Sequence, residues 1–230
     1  MSKSEDQQQR SMLAGSMPAI MSIIGVGVIL AAAYGLRNGT LGEIIWFASS
    51  LAMTIIRVPH GRRNQSNQII DDKKDAIEKI VLVLMFLSMA VLPYLELATR
   101  AFSFAGYTLP DWAVWVGLAL QIPMLWLFWR SHADLGKNWS PGLEIRDEHG
   151  LVSNGVYARM RHPMYAAIWL SVLAQPLLIQ NWIAGAFAVP AWVALYLTRI
   201  PKEEAMMRET FGEAYDAYMA RTGRVWPKFS

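Results

Sequence analysis

Arg199, Glu203 and Glu204 stand within one stretch of chain, and well upstream lies the run Arg161-His162-Pro163-Met164-Tyr165. On a helix Arg199 and Glu203 are four apart and share one face. Proline suits the first turn of a helix, where no N–H is needed, so a helix is predicted to begin near Pro163. Arg161 and His162 then sit at its mouth, where orphan N–H groups and the helix dipole favour an anion. Tyr165 lies one turn in, with a hydroxyl that can face a polar cavity. A carboxylate such as Glu203 can hold an ammonium group, Tyr and His can hydrogen-bond polar ends, and arginine matches a carboxylate with two parallel bonds. The same residues also admit a plainer reading, with Arg199–Glu203 an ordinary ion pair and the arginines topology anchors.

Further residues with chemical potential lie between and around these two clusters. They are Leu135-Gly136-Lys137-Asn138-Trp139-Ser140, His149-Gly150-Leu151-Val152, Asn154-Gly155-Val156-Tyr157, and Phe211-Gly212 with Tyr215 and Tyr218. Phe211, Tyr215 and Tyr218 recur at helical spacing and read as the apolar face of an amphipathic tail helix. The chain has no cysteine, which removes disulfides, thiolate metal sites and a cysteine nucleophile. His60, His132, His149 and His162 have no metal-motif spacing, so no metal is expected. Neither a glycine-rich phosphate loop nor a nucleophile elbow occurs.

What must position these residues is legible from hydropathy. Only 17% of the 230 residues are charged, against about 25% in an average soluble domain. Six apolar blocks, 17–36, 41–56, 77–98, 112–129, 164–180 and 182–200, approach or reach the length needed to span a bilayer, about 17 to 25 residues. Block 41–56 is the shortest and carries Glu43. Block 17–36 exceeds the usual 7–15 apolar residues of a signal peptide and reads as a span. With the N-terminus inside, nineteen of the 21 Lys and Arg fall on the inner side and only Arg37 and Arg100 outside, as cytoplasmic enrichment of basic residues requires.

The expected fold is therefore all-α: an integral membrane bundle of about six transmembrane helices with both termini inside. A polar tail, 1–16, precedes helices one to four in 17–129, and the chemistry sits in 130–230. That half holds a loop, a tight helical hairpin over 164–200 turning at Gln180-Asn181, and the tail helix. Kinks are expected at Pro176 and Pro190. The inside loop 57–79 is read as solvated or facing headgroups, and Glu43 and Glu96 as reaching water from outer span ends. Lys202 and Arg208 read as headgroup anchors, and His132 is assigned no role.

The order Leu151-Val152-Ser153-Asn154-Gly155-Val156-Tyr157, Arg161-His162-Pro163-Met164-Tyr165, Glu203-Glu204, Phe211-Gly212 and Tyr215 resembles the isoprenylcysteine carboxyl methyltransferase family. Phospholipid N-methyltransferases share a looser version. The resemblance covers about 130–229. It implies S-adenosylmethionine as cofactor, in a cytoplasm-facing pocket contacted by His149, Gly150, Leu151, Val152, Tyr157, His162, Pro163, Met164, Tyr165 and Glu203. It implies that Arg199 holds a substrate carboxylate, with Arg161 a second candidate, while Glu204 completes the pair without a separate role. The region around Gly142 and Glu144 does not align cleanly.

The implied acceptor is lipid-like or prenylated and enters from the bilayer. The partners are then substrate and membrane lipids, with no nucleic acid, and the sequence carries no signal for oligomeric state. Within the superfamily an amine or a thiol is an alternative acceptor. Two other classes remain as readings: an NADPH-dependent membrane sterol-type reductase, and a transporter. A transporter calls for charged or broken helices at mid-bilayer, whereas here the ionisable residues gather at span ends.

Overall fold

Long apolar runs in lipid must satisfy every backbone N–H and C=O internally, which selects helices. The computed structural model describes residues 25–64, 69–72, 76–136, 144–146 and 150–229, and these are overwhelmingly helical. In chain order they form α1 (25–35), α2 (Leu41–Asn64), β1 (Ile69–Asp72), α3 (Ala76–Thr99), α4 (Trp112–Leu135), β2 (Glu144–Arg146), α5 (Pro163–Leu178), α6 (Trp182–Phe211) and α7 (Glu213–Arg221). Four helices are long and apolar enough to cross a membrane, namely Leu41–His60 of α2, then α3, α4 and α6. The apolar α5 is shorter, at 16 residues, and α1 continues a block that lies partly outside the described residues.

Polar signals set the helix ends. Thr40 and Glu43 form a reciprocal cap on α2: the Thr40 amide donates to Glu43 Oε2 at 2.8 Å, and the Glu43 amide to Thr40 Oγ1 at 3.2 Å. Glu43 also holds Arg100 through both carboxylate oxygens, while Glu96 accepts the Phe102 amide at 2.6 Å. Both glutamates are buried. The expectation that they reach for water is thus corrected, because each is consumed by a cap or a loop at this end of the bundle. Asn181 turns the hairpin, accepting from the amides of Ile183 and Ala184 and donating to the Phe102 carbonyl.

Two other expectations change. The shortest block, 41–56, belongs to a helix of 24 residues, since α2 runs on to Asn64; leaving the apolar zone ends the hydropathy signal but not the helix. Loop 57–79 is not wholly loop either. Beyond that helical extension, β1 pairs antiparallel with β2, matching Ile69 with Arg146 and Asp72 with Glu144. The irregular turns of the helices fall at Leu87–Val91 and Trp182–Ala186, both π-type. Pro176 lies in the last turn of α5, and Pro190 follows shortly on the π-turn that opens α6.

Helix α5 packs closely along α4 and beside α6, and the buried core falls into three clusters. At the hairpin end lie Trp46, Tyr94, Leu97 and Leu178; in the middle Met85, Val172 and Trp192; near the mouth of α5 Met124, Phe128 and Ala167. Gln175 spans the α3 π-turn, donating to the Ser88 carbonyl at 2.9 Å and the Ala184 carbonyl at 2.8 Å. The group freed by the irregular turn is thereby satisfied inside the bundle.

Candidate active site

The hairpin brings the N-terminal mouth of α5 beside the last turns of α6, so the two sequence clusters meet. His162, the N-cap of α5, is 4% exposed. Its Nε2 lies 3.3 Å from Glu204 Oε1, and its Nδ1 3.5 Å from Glu203 Oε1. The Tyr165 hydroxyl donates to Glu203 Oε2 at 2.6 Å. Arg199 Nε stands 3.8 Å from Glu203 Oε2 and its Nη1 3.7 Å from Glu78 Oε1. Glu78, in the first turn of α3 and buried, is a site residue that the sequence reading placed in a loop.

The adjacent glutamates face different partners. Glu204, 3% exposed, accepts from Arg161 Nε at 3.1 Å, and from Arg224 Nε at 3.1 Å and Nη2 at 2.7 Å. Arg161 Nη1 also donates to the Thr222 carbonyl at 2.6 Å and the Met219 carbonyl at 3.3 Å. Arg161 is therefore bound into the framework beneath the site. The Glu203 side chain keeps 26% of its surface open. One glutamate is a structural hub, and the other presents a carboxylate to whatever enters.

Burial alone would lower the His162 pKa, but hydrogen bonds and charge from Glu203 and Glu204 outweigh it and raise it. The imidazolium therefore persists above the ordinary 6.5. A raised folded-state pKa adds stability that is complete below the unfolded value and is lost as pH rises through the folded one. Thermal unfolding followed from pH 6 to 9 should show the wild type losing stability over that rise, and His162→Asn losing distinctly less. Equal slopes would exclude His162 as the titrating group.

A wall of aromatic rings adjoins Glu203. Tyr165, Trp192, Tyr196 and Trp169 stack with centroids 5.5 to 6.4 Å apart, and His162 meets Tyr165 edge-on at 5.3 Å. The Trp192 Nε1 proton is buried and has no hydrogen-bond partner among the described residues. Buried indole N–H groups normally find an acceptor, and this one is left with its bond unmade.

The loop before α5 is fixed from below. Asp134 accepts from Arg130 at 2.6 Å and from the Val156 amide at 2.9 Å. The buried Tyr157 reaches the Ser131 carbonyl with its hydroxyl at 3.4 Å, and its own carbonyl accepts from Tyr218 at 2.7 Å. Gly155 has φ +56°, and a Cβ there would stand 2.1 Å from Asp134 Oδ2. Gly155→Ala should accordingly cost about 1–3 kcal/mol, measured as a lower unfolding temperature with the helical signal intact.

Of the residues the resemblance singled out, Arg161, His162, Tyr165, Arg199 and Glu203 converge. Pro163 starts α5 as expected. Met164 packs toward Phe128 and Met124 on α4. Leu151 and Val152 are half-buried and Gly150 exposed. His149 lies outside the described residues, as do 137–143. Tyr215 and Tyr218 are buried, so the inner face of α7 lies against the protein. Phe211 belongs to α6, and Gly212, with φ +53°, separates the two helices. Arg224 was missed, being read only as a topology anchor; Glu204 was seen, but its hub role was not.

Comparison with known proteins places the chain in a family. The profile of the isoprenylcysteine carboxyl methyltransferase family matches residues 115–209. Protein-S-isoprenylcysteine O-methyltransferase B of Arabidopsis thaliana is 30% identical over 182 residues, spanning 77% of this chain and 86% of that protein. Its A form is 35% identical over 132 residues, 56% of this chain and 66% of that protein. A solved eukaryotic intramembrane Ras methyltransferase superposes with a TM-score of 0.48 at 21% identity, covering 86% of this chain and 72% of its own, too low a likeness to place any residue. On the strength of the sequence matches, the chain belongs to the isoprenylcysteine carboxyl methyltransferase family.

Proposed function

We propose that this protein is a multi-pass membrane methyltransferase that uses S-adenosylmethionine to esterify the carboxylate of a prenylated, cysteine-type acceptor drawn from the bilayer. The observation that carries the reading is the partly open Glu203 carboxylate, set between His162, Tyr165 and Arg199 beside an aromatic wall. S-adenosylmethionine supplies a methyl group already activated on a sulfonium, so the protein has mainly to align donor and acceptor. The residues present fit that cofactor. Glu203 can pair with its ammonium, the rings can face its cationic sulfur, and the orphan Trp192 Nε1 proton offers a donor to its polar edge.

Arg199 is suited to orient the acceptor carboxylate, which is ionised at neutral pH and needs no general base. Arg161, committed to Glu204 and two carbonyls, acts by holding His162 rather than by meeting substrate. Gly150, Leu151, Val152, Tyr157, Pro163 and Met164, with His149, are assigned to the cofactor pocket as the family resemblance implies. Tyr157 and Met164 serve it from behind, through their packing on α4. In this reading 130–230 carries the chemistry and 17–129 supports it. Six spans with both termini inside set the site at the cytoplasmic face, which the nineteen inner basic residues support.

The test is methyl transfer from radiolabelled S-adenosylmethionine to a farnesylated cysteine bearing a free carboxylate. The product should release labelled methanol in mild base, since only an ester does so. An alkali-stable product would place the methyl on nitrogen or sulfur, and no transfer to any such acceptor would defeat the reading. Arg199→Lys should raise the KM for acceptor about tenfold, because a point charge cannot reproduce two parallel bonds, with affinity for S-adenosylmethionine nearly unchanged.

A further inference from the structure

Most arginines described at this end of the bundle meet a carboxylate: Arg130 with Asp134, Arg161 and Arg224 with Glu204, Arg199 with Glu78 and Glu203, Arg208 with Asp216. Three cations that break this pattern lie together. Arg159, Arg221 and Lys228 surround a recess of about 280 Å³, completed by Ala158 and Phe229, and among the described residues none of them pairs with an acid. Each is held by something else. The Arg159 guanidinium lies 5.0 Å over the Phe229 ring, Arg221 lies 5.7 Å over Tyr218, and Lys228 Nζ donates to the Ala220 carbonyl at 2.6 Å. Three like charges gathered around one recess repel, so the arrangement wants an anion.

The surroundings say which kind. Arg159 stands just before α5 enters the apolar zone; Phe229, 73% exposed, lines the recess, and Trp226, 80% exposed, lies two residues before Lys228 in the chain. Large aromatic rings in water are costly, but at a headgroup boundary they are favourable anchors. We infer that Arg159, Arg221 and Lys228 form a binding site for the phosphate of an anionic phospholipid, with Trp226 and Phe229 seated in the interface beside it.

The site also bears on the active centre. The Arg159 carbonyl accepts from the amides of both Gly223 and Lys228 at 3.0 Å, and the Arg161 and His162 amides donate to Gly223 and Arg224 at 2.8 and 2.9 Å. A Cβ on Gly223 would stand 1.9 Å from the Trp226 carbonyl, so this tight turn requires glycine. A phosphate bridging Arg159 to Lys228 would tighten the strap 222–228, whose Arg224 grips Glu204. That coupling rests on the proposed function; the lipid site does not.

The test is native mass spectrometry of delipidated full-length protein with dioctanoyl phosphatidylglycerol, dioctanoyl phosphatidylcholine or inorganic phosphate. The wild type should bind one phosphatidylglycerol at least about tenfold more tightly than phosphatidylcholine, each cation near the headgroup adding to the attraction. The exposed triple variant Arg159→Gln/Arg221→Gln/Lys228→Gln should lose the preference while keeping its unfolding temperature. Lys79→Gln/Lys202→Gln/Arg208→Gln, which removes the same charge elsewhere at this end, should keep it. Loss of the preference in both variants would reduce the effect to general charge and overturn the site, as would its retention in the first. Competition by millimolar inorganic phosphate as effective as the lipid would overturn a lipid ligand.

Discussion

Glu204→Ala should unfold the protein some 6–20 °C earlier than wild type while leaving its helical content unchanged below the transition. Glu204 is buried against Arg161 and His162, whose side chains are themselves 9% and 4% exposed. Removing it leaves the buried Arg161 with no carboxylate and His162 with Glu203 alone, a loss worth about 3–5 kcal/mol. For a chain of this size each kcal/mol moves the midpoint by about 2–4 °C. Arg224 contributes little to the deficit, because its half-exposed side chain can return to water. Glu204→Gln should fall between, since its carbonyl still accepts hydrogen bonds but no longer neutralises. A midpoint within a degree or two of wild type for Glu204→Ala would show that Arg161 and His162 do not depend on this hub.

The neighbouring substitution should do the reverse. Glu203→Ala is expected to weaken S-adenosylmethionine binding roughly 10- to 100-fold, the value of one or two charge-assisted hydrogen bonds, and to shift the unfolding midpoint by only a few degrees. His162 keeps Glu204 as a partner, and Arg199 keeps Glu78. Calorimetric titration and thermal unfolding of the same preparation separate the two effects. If Glu203→Ala destabilised as strongly as Glu204→Ala and left affinity intact, the division of labour between the adjacent glutamates would be wrong.

That division is the part of the site that hydropathy and spacing leave hidden. The four-residue step from Arg199 to Glu203 and the proline opening α5 are local signals, and the hairpin that joins them follows from two apolar blocks with a two-residue turn. What Glu204 meets is decided by Arg224, beyond the next helix, on a strap that carries no hydropathy signal. A terminal arginine there reads as one more inner-side cation. Glu78 was obscured for a related reason: it sits where charge is common, and only the packing of α3 against α6 turns it toward Arg199. The Thr40-x-x-Glu43 cap was legible as a pattern, yet the apolar block around it drew the reading toward a charge escaping to water. The path of α2 to Asn64 and the β1–β2 ladder lie beyond the apolar blocks, where apolarity stops reporting on structure.

The central claim is a cofactor pocket built on Glu203 and His162, and calorimetric titration of nanodisc-held protein with S-adenosylmethionine tests it most directly. The expected result is binding in the micromolar range, weakened at least about tenfold by Glu203→Ala and by His162→Ala in folded protein. Absence of heat from well-folded wild type, together with binding of NADPH, would contradict the methyltransferase reading and return the site to the reductase alternative.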